Sequence, residues 1–106
     1  MAGRFAKGQT IFQACWQFAS KYPEVVEQRV ISRTVDSCGK KFVTFEDHGH
    51  DSTYGRREPA DSVLLFALAD DAFKYLADNA GYVKCYKKVV IYPYVVSDRE
   101  WLEPSI

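Results

Sequence analysis

The chain has 106 residues, with fourteen Lys/Arg balanced by fourteen Asp/Glu, so no net charge draws it to nucleic acid or to an anionic membrane. A chain of this size is expected to form a single domain over residues 1–106 that buries a core without disulfides or a metal. Three widely spaced cysteines and no recognisable secretory leader argue for reduced thiols in a cytoplasm, and the longest apolar run, Val63 to Ala69, is too short to span a bilayer.

Seven Tyr, seven Phe and two Trp favour a β-rich core, because aromatic side chains suit a pleated, half-buried surface. Met1 to Lys7 reads as a short basic lead and is expected to be loose. The next segment, Gln9 to Ala19, fits two templates. As a strand, Phe12, Ala14, Trp16 and Phe18 share one face and Gln13 and Gln17 the other. As a helix, Ile11, Ala14, Cys15, Phe18 and Tyr22 form a stripe behind a Thr10/Gln13 capping box. Aromatic density tips the reading to strand, with Tyr22-Pro23-Glu24 as the turn that follows.

Val25 to Glu46 predicts a β-hairpin around which the rest is organised. Asp36-Ser37-Cys38-Gly39 has the chemistry of a type I turn closed by a glycine bulge. Asp47 to Asp61 is polar and rich in turn formers, and reads as a loop. Ser62 to Ala67 is a continuous apolar run, expected to be a short buried strand. The alternative is one helix from Ser62 to Ala80. Asp70 and Asp71 mark a helix start where its dipole favours acids, and Phe73, Leu76, Ala77 and Ala80 recur at helical spacing before Gly81. Tyr82 to Val96 is the last β segment. Pro93 cannot donate to a ladder, so it marks an edge, a bend or a bulge. Residues 97–106 form a tail in which Ser97 and Asp98 can cap a short turn.

The expected fold class is α+β: a curved antiparallel sheet of about five strands, in the manner of an SH3-like half-open barrel, with one helix packed near 70–80. The expected core is Phe12, Trp16, Val30, Val43, Phe45, Leu65, Phe73, Leu76, Val89 and Ile91.

Three constellations carry possible chemistry. His48 and His50, with Glu46, Asp47 and Asp51, are weak candidates for a metal, because ligands usually converge from several elements. No nucleophile, phosphate loop or CxxC motif accompanies them, so no catalytic residue and no cofactor is expected, and the chain reads as non-enzymatic. Lys84, Tyr86, Lys87 and Lys88, joined by Arg56 and Arg57, place cations and flat rings together, as sheet-based single-strand binders do. The plainer account has the tyrosines filling a small core while the lysines blunt an edge strand. Trp101 and Leu102 in the acidic tail, with Tyr92 and Tyr94, are the candidate protein-binding residues.

Lys7-Gly8-Gln9-Thr10, the Arg33 to Lys41 hairpin and Phe66 to Ala72 resemble segments of small accessory proteins of phages and other mobile elements. The resemblance implies an SH3-like or compact α+β module that binds a host or phage factor, sometimes to block a defence system. The function expected is therefore protein binding by occupation of a partner's surface. Nucleic-acid binding through the 82–96 strand is the alternative. No membrane is expected, and a homodimer is compatible with an open sheet edge.

Overall fold

The computed structural model describes residues 3–19, 22–46, 57–79 and 88–97. Among these residues, six strands and one helix follow in the order β1 (Thr10–Ala19), β2 (Tyr22–Cys38), β3 (Phe42–Phe45), β4 (Arg57–Pro59), β5 (Leu65–Phe66), α1 (Ala69–Asp78) and β6 (Lys88–Ser97). The expected curved antiparallel sheet with one helix is present. Five strands run in the order β4-β3-β2-β1-β5, and β6 joins alongside β2. The segment read two ways is strand from Thr10 to Ala19, and residues 62–79 divide into β5 and α1.

β2 is the spine, as the hairpin pattern predicted. One edge pairs antiparallel with β1 from Thr34 down to Tyr22. The other edge is shared. β3 takes Val35 to Cys38 antiparallel, and β6 takes Val25 to Ser32 in parallel. The parallel direction is a consequence of connectivity: β6 follows α1, and a helical crossover returns a strand in the same sense. Its register slips where Gln28 pairs with Ile91 but Val30 pairs with Val95, and Pro93 lies in that slip. The proline therefore sits where a missing N–H breaks no regular ladder.

The two faces of the sheet bury different sets. On one, α1 sets Ala72 and Leu76 over Ala14 and Val30, with Phe12, Leu64, Phe66, Phe73 and Tyr75 packed around them. On the other, Ile11, Val35, Val43, Phe45, Ala60 and Leu65 form a second cluster with Phe5. Cys15, Ile31 and Val96 form a third cluster. Of the expected core, Val30, Val43, Phe45, Leu65 and Leu76 are buried, Phe12, Phe73 and Val89 are half-buried, and Trp16 and Ile91 are exposed. The reason is length. A ten-residue helix spans roughly 15 Å, whereas a ten-residue strand spans about 33 Å. α1 covers the middle of the sheet and stops short of the Trp16 end.

Other local expectations are corrected. The lead is docked from Gly3 onward. Phe5 is buried in the second cluster. The Arg4 guanidinium donates to the carbonyls of Ser62 (2.7 Å) and Leu65 (2.6 Å), pinning the connection that leads from β4 into β5. Gly8, at φ 84°, makes the turn from this segment into β1. The hairpin turn lies three residues beyond the predicted one, at 39–42 in place of 36–39. β2 continues through Cys38, the Asp36 position is a bulge, and Lys40-Lys41 turn the chain. Gly39 has no positive φ; its N–H donates to the Phe42 carbonyl at 3.0 Å. Tyr22 to Glu24 belong to β2 and not to a turn, and Arg57 to Pro59 of the predicted loop form β4.

Candidate functional site

On the face away from α1, strand alternation places Glu27, Arg29, Ile31 and Arg33 of β2 beside Ile11, Gln13 and Cys15 of β1. The polar members are buried, so each needs a partner. Arg29 Nη2 donates to Glu27 Oε2 at 3.2 Å, with side-chain exposures of only 6% and 8%. The Tyr92 hydroxyl donates to Glu27 Oε1 at 3.0 Å, and the Arg29 guanidinium lies 3.8 Å over the Tyr92 ring. Further along, Arg33 Nη1 donates to Gln13 Oε1 at 2.9 Å, and Gln13 Nε2 donates to Glu58 Oε1 at 3.3 Å. The Arg33 guanidinium covers the Phe45 ring at 3.8 Å. The layer joins β6 and β4 to the central pair through charged hydrogen bonds. Burial pushes the Cys15 thiol up to about 12, with Arg33 opposing and Glu58 reinforcing the shift. At neutral pH it is a protonated thiol and a poor nucleophile.

This layer absorbs one predicted binding residue. Tyr92 is committed to Glu27 and Arg29, and the ring face that a base would need is held by the guanidinium. Tyr94 is different: it is 55% exposed and meets the edge of Tyr92 at 5.9 Å between centroids. Lys88 opens β6 and is exposed, and Arg57 on β4 is exposed with its guanidinium 4.4 Å over Phe42. Both lie on the side of β2 away from β1 but towards its opposite ends, Lys88 beside Val25 and Arg57 beside Thr44, which pairs with Ser37, so they do not form one basic surface. Trp101, Leu102, Lys84, Tyr86, Lys87, Arg56, His48 and His50 lie outside the described residues.

The helix-bearing face holds an arrangement that sequence reasoning missed. Trp16 pairs with Gln28, and Gln28 pairs with Ile91, so the three form one cross-strand row over β1, β2 and β6. Strand spacing puts the outer two roughly 10 Å apart. Trp16 is 50% exposed and Ile91 37%, while Gln28 between them is 3% exposed. Val95, also 37% exposed, lies on the same face of β6. The row flanks the ground covered by α1. Its only sequence signal was the aromatic residue itself, and the alternation that put Trp16 with Phe12 and Ala14 was right about the face and wrong about the cover. Among the described residues, no helix is long and apolar enough to cross a membrane. No family model, no curated protein and no solved structure matches this chain.

Proposed function

We infer that the domain is a non-enzymatic protein-binding module whose contact surface is the Trp16–Gln28–Ile91 row with Val95. The supporting observation is the alignment of exposed large apolar side chains on β1 and β6, the two strands that flank β2, on the face that bears α1. A rigid sheet presenting an indole and branched aliphatic groups is the composition of an interface centre, where tryptophan and tyrosine carry a large share of binding energy. The resemblance to phage and mobile-element accessory proteins favours a cytoplasmic host or phage factor as the partner, with inhibition by occupation as the mode of action. Nucleic-acid binding has less support, since the Tyr92 ring is engaged and Lys88 and Arg57 are separated.

The test is a complex reconstituted from purified components after the partner has been recovered from the native host. Trp16→Ala is expected to weaken binding by about 2 kcal/mol or more, roughly thirtyfold, by titration calorimetry. Leu68→Ser, at an exposed apolar position at the start of α1 and beyond the Phe12 end of the β1–β5 pairing, should leave affinity unchanged. Equal binding by Trp16→Ala and the parent overturns the assignment. A steeply salt-dependent affinity for oligonucleotides would favour the nucleic-acid reading instead.

A further inference from the structure

We propose that the Trp16–Gln28–Ile91 row is a recognition site for an apolar group carrying one neutral N–H donor, of which a partner protein's tryptophan indole is the fitting form. The proposal rests on the protein-binding reading and names what that surface would take. The observation behind it is Gln28. Its side chain is 3% exposed, and its Oε1 has no hydrogen-bond partner among the described residues. Buried amide oxygens are nearly always satisfied, and an orphaned one costs more than a typical hydrogen bond contributes.

The position of the orphan gives it meaning. Gln28 stands at the centre of the row, in register with Trp16 on one side and Ile91 on the other. Both neighbours are substantially exposed, so each can turn aside without emptying a core. A group entering between them would meet an indole wall, an aliphatic wall and a neutral acceptor at the floor. Among the described residues, an ammonium or guanidinium would meet that acceptor with no buried carboxylate on this face, because Glu27 points to the opposite one. A charge taken out of water there would find no counter-charge among them. A purely apolar group would leave the oxygen orphaned. An uncharged N–H on a flat apolar body satisfies all three surfaces, and an indole has that chemistry.

Indole and 1-methylindole serve as probes, since they differ chiefly in the donor. Each is titrated into the full 15N-labelled chain, and the Trp16 side-chain N–H, the Gln28 side-chain amide and the Ile91 backbone amide are followed by NMR. Indole is expected to shift all three and to bind about fivefold or more tightly than 1-methylindole, the factor for one net hydrogen bond. In Gln28→Met the two probes should bind alike, while the melting temperature is unchanged or raised because an unsatisfied acceptor has been removed. Trp16→Ala should abolish the shifts at Gln28. Equal affinity of the two probes for the parent chain would overturn the donor requirement and leave the apolar contact surface standing. Absence of any shift at Trp16 and Ile91 would remove both. A lowered melting temperature in Gln28→Met, with the probe difference retained, would also overturn the proposal, since Oε1 would then be serving the fold.

Discussion

Replacing Arg29 by Met keeps most of the side chain's length and removes its charge. The Glu27 carboxylate would then be buried with the Tyr92 hydroxyl as its remaining partner from the Glu27–Arg29–Tyr92 group. Breaking a buried ion pair from one side costs about 3–5 kcal/mol, because an uncompensated charge stays behind. Native domains are stable by only about 5–15 kcal/mol, so Arg29→Met should lose roughly a fifth or more of the total. With a urea m-value of roughly 1.5 kcal/mol per molar, the midpoint should fall by about 2–3 M. The double variant Glu27→Leu/Arg29→Met removes both charges. It should recover to within about 1 kcal/mol of the parent, since an apolar replacement of a buried pair is close to neutral. Tyr92→Phe keeps the ring beneath Arg29 and loses one hydrogen bond to a charged acceptor, for an intermediate loss of about 1.5–3 kcal/mol. Urea unfolding followed by tryptophan fluorescence and far-ultraviolet circular dichroism measures all four chains. If the double variant is as unstable as Arg29→Met, the two charges are not coupled and the account of this layer is wrong.

Three further outcomes are expected. Gly3→Ala should destabilise by about 1–3 kcal/mol in the same unfolding assay, because an added Cβ would overlap the Cys38 carbonyl and approach its Sγ to 2.6 Å; stability equal to the parent would contradict the docked N-terminal segment. Leu76→Ala, beneath α1 and 1% exposed, should cost about 2–5 kcal/mol by thermal or urea unfolding, while Leu68→Ala at an exposed position should change little. The Cys15 thiol is held near 12 against an ordinary 9.0, so the native state resists its ionisation. Its contribution is fully present below pH 9 and is lost as pH rises from 9 towards 12, with a limiting slope of about 1.4 kcal/mol per pH unit. Cys15→Ala should lack that part of the decline, and parallel stability curves for the two chains above pH 9 would refute it.

Much of the architecture was legible from local pattern. The hairpin strands, the start of α1 with two aspartates in its first turn and the irregularity at Pro93 follow from side-chain and backbone preferences that act within a few residues. The strand in segment 10–19 was also legible, though only because aromatic density outweighed a competing helical stripe. The Glu27-x-Arg29-x-x-x-Arg33 spacing was not read as a buried layer. Charges on alternate strand positions ordinarily face water, and only β6 and β4 from elsewhere in the chain turn this face inward.

What the sequence determined by itself was therefore the local conformations, the single long spine and the charge balance, all set by short-range chemistry. Tertiary structure decided which faces were covered. α1 is about half as long as the strands beneath it, so it buries Val30 and Leu76 and leaves Trp16 and Ile91 in solvent, although all four are apolar residues in regular elements. Burial depends on what lies across a face. No periodicity within one strand carries that information, and the candidate site is the part of the sheet where the cover ends.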